Sequence, residues 1–231
     1  MTGPADMPGR ATSLPEGGVR EASVREALAI IEQDGLEKLS LRDVARRLGV
    51  SHQAPYKYFP TRDHLLAEVV GRCFDDFGQQ LEAAAAAETD LETALMAMGA
   101  RYLAFAAERP SAYRLMFAAP LPDGETHPEM AARASKAFRA LHGAVLRLHR
   151  HHGREGPEAL ADQDALHLWA TMHGLATILQ HDSIRVLGID PHVIAAAPLH
   201  AFISLSAALT PERCDPSDEV VQAFGPQPVR P

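Results

Sequence analysis

Residues 39–66, LSLRDVARRLGVSHQAPYKYFPTRDHLL, leave this chain few ways to fold. Leu41, Val44, Ala45 and Leu48 recur at helical spacing and make one apolar face. Ser40 stands where an N-cap belongs, with Asp43 three residues on in capping-box position. Gly49 follows, where a helix end calls for the positive φ that glycine adopts without steric cost. Ser51 can cap a second helix over 52–59, polar outward at His52, Gln53 and Lys57 and aromatic at Tyr56, Tyr58 and Phe59. Two short helices around a glycine turn make a helix-turn-helix, whose second helix enters the major groove of DNA. A hairpin that only packs is the alternative, but it has no need of Arg42, Arg46, Arg47, Lys57 and Arg62 around one polar helix. Pro55, late for a proline in a first turn, predicts a tight or distorted start to that helix.

The formal net charge of −8 argues against a nucleic-acid partner until it is divided by region. Residues 19–66 hold eight basic and seven acidic side chains, so the acidity lies in the rest of the chain. A near-neutral head on an acidic body suits a DNA reader whose body must not adhere to phosphate. No apolar run reaches the roughly 18 residues of a membrane span, so no membrane partner is expected. The N-terminus lacks a charged-then-apolar signal pattern. Cys73 and Cys214 are too few and too far apart for a disulfide framework or a zinc site. The expectation is a soluble cytoplasmic protein.

Periodicity makes the chain all-α. Residues 1–18, rich in Gly and Pro, read as a disordered arm. Residues 19–34 form a first helix, with Val24, Ala27, Leu28 and Ile31 inward and Gly35 at its end. Together with the helix pair they complete a three-helix DNA-binding domain over 19–66. A long helix over 61–87, about 40 Å at 1.5 Å per residue, joins it to a regulatory and dimerisation body over 67–209. In the body, Thr89-x-x-Glu92 and Thr126-x-x-Glu129 read as capping boxes for helices that end before Pro110 and near residue 150. Residues 110–118 make a short helix, with loops over 119–125 and 151–160. A helix over 162–181 is apolar on most sides, so it is buried or shared with a partner chain. A last helix over 191–209 is kinked or split at Pro198, and 210–231 is a proline-rich tail.

The order SLRDVARRLGVS, then Tyr56-Lys57-Tyr58-Phe59, then Arg62 and Leu65-Leu66 resembles the head of the tetracycline-repressor (TetR) family over about 19–70. That resemblance implies that Arg42, Ser51, His52, Gln53, Ala54, Tyr56, Lys57 and Tyr58 face DNA, and that Tyr56 and Arg62 hold phosphates. The family usually has lysine where Arg62 stands. Trp169, His173 and Gly174 resemble the signature of a Trp-His-Gly class of C-terminal domains, and Glu108-Arg109-Pro110 with Tyr113–Phe117 suits that class. The resemblance implies a homodimer on a palindromic double-stranded DNA operator, a repressor released by a small-molecule effector.

The histidines invite a metal reading. His149, His151 and His152 sit at a helix end, where cations are favoured without a metal, and they read as solvated surface. His167 and His173 lie six residues apart, offset around their helix, and each reads as hydrogen-bonded to a neighbour. A di-iron bundle needs two Glu-x-x-His pairs, and the nearest approach is Asp164-x-x-His167. No metal and no cofactor are expected. No nucleophile motif, phosphate loop or zinc-protease signature appears, so an enzyme is not expected. Tyr102, Phe105, Tyr113, Met116, Phe117, Phe138, Trp169 and His173 either line an apolar ligand pocket between helices or form plain core. Beside the ligand-released repressor stand a regulator without a ligand, an activator and, further off, a helical-bundle enzyme.

Overall fold

Val24, Ala27, Ile30 and Ile31 turn inward from helix α1 (Gly18–Asp34), which stops at Gly35 with φ 92°. The computed structural model describes residues 18–117 and 120–180, together with Gly188, Asp190 and Ala196. A 3₁₀ turn (Leu36–Lys38) leads to α2 (Leu41–Leu48), and Gly49 closes that helix in the left-handed region at φ 66°. A second 3₁₀ turn (Pro55–Lys57) precedes α3 (Arg62–Ala86). Then come α4 (Leu91–Glu108), α5 (Pro110–Phe117), α6 (Pro128–His151) and α7 (Pro157–Leu179). Among the described residues every element is helical and none is a strand.

Helix α3 runs through both halves. Its first turns bury Leu65, Leu66, Val69 and Val70 against α1, and its later turns bury Phe74, Phe77 and Leu81 against α4 and α6. Two glycines of α3, Gly71 and Gly78, face α6. A methyl group at Gly78 would stand 3.5 Å from the Cα of Ala137, and one at Gly71 would stand 2.9 Å from Cδ of Arg133. Arg133 lies across that notch and reaches Asp75 at 3.4 Å and Glu68 at 3.6 Å. Glu68 also meets Arg20 at 3.2 Å and Arg72 at 2.9 Å, so one carboxylate joins α1, α3 and α6.

Several local expectations are corrected. The second helix of the DNA-reading pair, expected over 52–59, is not an α-helix; only the 3₁₀ turn Pro55–Lys57 is regular. Pro55 has no N–H to give, and its carbonyl accepts from both Tyr58 (3.0 Å) and Phe59 (2.9 Å), which tightens the chain. Helix α4 is capped by Asp90, whose carboxylate accepts from the Thr93 N–H at 2.8 Å, and not by Thr89. The Thr126-x-x-Glu129 box does not form, because Asp123 takes up the Thr126 N–H at 3.3 Å and its hydroxyl at 2.8 Å. Pro128 opens α6 instead, and Pro157 opens α7 five residues before the expected start, since a first-turn proline forfeits no helical hydrogen bond. The helix expected over 191–209 and the tail lie outside the described residues, as does the arm apart from Gly18.

His149 is likewise not solvated surface. Its Nε2 meets Asp164 Oδ2 at 2.8 Å, and both side chains are 11% exposed. The other carboxylate oxygen of Asp164 is buried without a hydrogen-bond partner. Replacing Asp164 with Ala therefore strands a buried imidazole between α6 and α7. The expected cost is about 1–3 kcal/mol in urea unfolding. An unchanged midpoint would mean that the pair contributes nothing.

Candidate nucleic-acid interface and ligand cavity

Ser40 fixes the entry to α2. Its Oγ accepts from the Asp43 N–H at 3.1 Å and donates to Asp43 Oδ2 at 2.8 Å. Arg46 donates to the other oxygen, Oδ1, at 3.0 and 3.2 Å. The Ser40 hydroxyl first, and Arg46 second, hold the Asp43 carboxyl below the usual carboxylate range. Arg47 is drawn the other way, to Glu26 (3.3 Å), Gln33 (3.0 Å) and Asp34 of α1. Both arginines are thus engaged inside the head.

The turn after α2 is closed by Val50 N–H to the Ala45 carbonyl at 3.1 Å and Gly49 N–H to that of Arg46 at 3.2 Å. Beyond it the chain anchors itself by Pro55, which is buried, and by Phe59, 3% exposed, over whose ring the Arg20 guanidinium lies at 5.7 Å. With those two side chains inward, the others turn out. Ser51, His52, Gln53, Tyr56, Lys57 and Tyr58 are exposed, and Ala54 is half-buried. Arg42 is exposed beside them on α2. Neither Arg42 nor Lys57 makes an ion pair with any described residue. The surface offers cations, hydroxyls, an amide and an imidazole on one convex turn, the groups that bond phosphate oxygens and base edges.

Arg62 is placed differently from the others. Its Nε donates to the carbonyl of Leu39 at 3.1 Å and an Nη to that of Leu36 at 2.9 Å. It clasps the chain before α2 to the start of α3, with its remaining edge 3.6 Å from Asp63. Sequence reasoning had no sign of this clasp, which spans more than twenty residues of chain.

The aromatic residues expected at a ligand pocket do gather in the body, though not all at a cavity. Phe105 and Met116 are fully buried core. Trp169 receives Phe138 at 5.3 Å, Phe117 at 5.8 Å and Tyr102 at 6.3 Å between ring centroids. The Tyr113 hydroxyl lies 2.7 Å from Nδ1 of His173 and 3.2 Å from the Tyr102 hydroxyl. Burial pushes the His173 imidazole down from its ordinary value and both tyrosine hydroxyls up, so all three groups are neutral near pH 7.

A cavity of about 40 Å³ lies between α3, α4, α6 and α7. Tyr102 and Trp169 border it, with Leu81, Leu95, Met98 and Met172 among its other walls. Those four were not among the ligand-pocket residues expected from the sequence. The available signal was spacing, since Leu95, Met98 and Tyr102 share one face of α4 and Trp169 and Met172 one face of α7.

The sequence matches the model of bacterial regulatory proteins, tetR family, over residues 24–69 and that of the tetracyclin repressor-like C-terminal domain over residues 95–202. An HTH-type transcriptional regulator of Mycobacterium tuberculosis, Rv0681, is 26% identical over 159 residues, 69% of this chain and 69% of that protein. The HTH-type transcriptional repressor KstR of Mycolicibacterium smegmatis is 35% identical over 68 residues, 29% of this chain and 33% of that protein. A solved structure of a protein of unknown function from Rhodococcus sp. RHA1 has a TM-score of 0.68 at 24% identity, covering 87% of this chain and 98% of that one, a likeness of fold alone.

Proposed function

We propose, for a chain that belongs to the tetracycline-repressor (TetR) family of DNA-binding transcriptional regulators, that it works as a homodimeric repressor on a palindromic operator and is released by a small apolar molecule. In this reading residues 19–66 bind the operator and residues 67–209 dimerise and take up the effector. The observation that carries the DNA part is the division of cations within the head. Arg46 and Arg47 are neutralised internally, while Arg42 and Lys57 stand exposed on the face that carries Ser51–Tyr58. Ala54, half-buried on that face, offers an apolar contact to a base. Tyr56 supplies a hydroxyl to a phosphate, and Arg62 the edge that otherwise faces Asp63. That KstR, a partial relative, is a repressor supports the sign of the regulation.

Labelled DNA from upstream of the gene tests the proposal, the expected footprint being an inverted repeat whose half-sites mirror the protein two-fold. Lys57→Ala and Arg42→Ala should each weaken binding to all sequences and lower the salt slope of log K by about 0.9, the counterion released per phosphate contact. Unchanged affinity and slope in both variants would remove this face from the interface. A regulator that answers to no ligand is the second reading. The narrowness of the cavity, about 40 Å³, favours it, and a compound screen for release of operator DNA decides between the two.

A further inference from the structure

Helix α3 presents one stripe to α6. His64, Glu68, Gly71, Asp75 and Gly78 recur along it at steps of four and three. The first turns of α6 follow that stripe in the same direction. His127, just before α6, meets His64 edge-on at 4.8 Å between ring centroids, Arg133 reaches Glu68 and Asp75, and Ala137 lies against Gly78. The part of the stripe nearest the head is polar. Because Gly71 has no side chain, the stem of Arg133 passes close over α3, and its guanidinium meets both carboxylates.

Glu68 does more than pair with Arg133. Its side chain is 11% exposed, and its Oε2 is shared between Arg133 at 3.6 Å and Arg20 of α1 at 3.2 Å. Its Oε1 accepts from Arg72 Nε at 2.9 Å. Arg20 has no other ion pair among the described residues. The Arg20 guanidinium covers the ring of Phe59, the inward anchor of the segment that carries Ser51–Tyr58. One carboxylate oxygen thus holds an arginine of the head and an arginine of the body in a fixed relation. An exposed ion pair is worth little, but this carboxylate is largely withdrawn from water. Without its charge, Arg20 loses its counterion and faces the like charge of Arg133.

We propose that Glu68 is a positioning residue for operator binding: by holding Arg20 and Arg133 on one carboxylate, it fixes the angle between head and body, and so the separation of the two reading segments in a dimer. This rests on the homodimeric, operator-binding reading above. Glu68 acts through Arg20 and Phe59 and is not itself a DNA contact. Gly71 belongs to the same device, since it gives Arg133 its path across α3.

The test titrates the full-length protein on labelled upstream DNA carrying the inverted repeat, and on duplexes with base pairs inserted between the half-sites or removed. Each base pair shifts the half-sites by about 3.4 Å and turns them by about 35°, so the unaltered protein should show a sharp spacing optimum. Glu68→Gln keeps the shape of the side chain and removes its charge. It should bind the optimal duplex about 10-fold more weakly and lose much less on the altered ones, so that the spacing preference falls by about the same factor. Gly71→Ala keeps every charge and favours the helix by itself, but its methyl group displaces Arg133. It should blunt the preference in the same way. A profile blunted at an unchanged urea midpoint is what positioning predicts and a loss of stability does not. If Glu68→Gln does not fold, Gly71→Ala decides alone. Equal loss on every duplex, or profiles in both variants that superimpose on that of the unaltered protein, overturns the role of Glu68. An unaltered protein that binds no DNA, or binds without a spacing preference, overturns the homodimer reading and the inference with it.

Discussion

If the protein is the proposed homodimer, a variant carrying both Leu166→Glu and Ile178→Glu should sediment as a monomer and bind the operator about 100-fold more weakly, or worse. Leu166 is 62% exposed and Ile178 46% exposed on α7, with exposed Leu179 beside Ile178. Apolar side chains this exposed on one helix are what a second copy would cover. A dimer places its second head intramolecularly once the first has bound, at an effective concentration that a monomer lacks, and losing that advantage costs about 10²–10⁴ in affinity. The glutamates lie far from Arg42 and Lys57 in sequence and on a helix outside the head, so a direct effect on DNA contacts is not expected. Leu175, on the same helix, is half-buried and packs on the core, so a charge there would also damage the fold. Phe202, in the last helix expected from the sequence, lies outside the described residues. Light scattering that finds the unaltered protein monomeric at micromolar concentration, or the double variant still dimeric, would refute the assembly.

Phe77→Ala is the second large effect, this time on stability. The ring has no exposed surface and meets Tyr102 and Phe105 at 5.1 Å and Phe117 at 6.1 Å, all edge-on. Removing it leaves a void that α3, α4 and α5 cannot all close, at a cost of about 3–5 kcal/mol. That is a large share of the 5–15 kcal/mol typical of a whole domain. Phe77→Leu, which retains much of the volume, should cost clearly less. Urea midpoints read both, and a shift for Phe77→Ala equivalent to less than about 1 kcal/mol would show that the core collapses around the gap.

The sequence was most legible where one side chain decides one local event. Gly35 and Gly49 end their helices at positive φ, and Ser40 caps α2 through its own hydroxyl. Leu65, Leu66, Val69, Phe74, Phe77 and Leu81 face inward because spacing on α3 leaves them no other side. Legibility fell where two residues compete for one role. Thr89 and Asp90 can each cap α4, and the choice of Asp90 depends on the path of the chain before it. Pro55 was recognised as awkward, yet its effect was larger than expected, because its buried ring and doubly accepting carbonyl hold the segment in a 3₁₀ turn. The His149–Asp164 pair and the cavity were the least accessible. Both depend on how far apart two helices come to rest, which periodicity does not encode.

The clasp of Arg62 and the wall provided by Leu81 sit on the same rod. Nineteen residues separate them along α3, about 28 Å at 1.5 Å per residue. Pivoting such a rod by about 5° at its cavity end carries the other end about 2.5 Å, well beyond the range of lengths over which a hydrogen bond holds. On the proposed ligand-released reading, the rod's length would therefore set the gain between a guest's bulk and the displacement of the head. Its phase is set as well, because one inserted residue would turn the head by about 100° relative to the body. Between these two positions α3 can lengthen or shorten only by near-whole turns if both ends are to keep their partners. Insertions and deletions in this part of the chain are thus excluded by rotation long before they are excluded by stability.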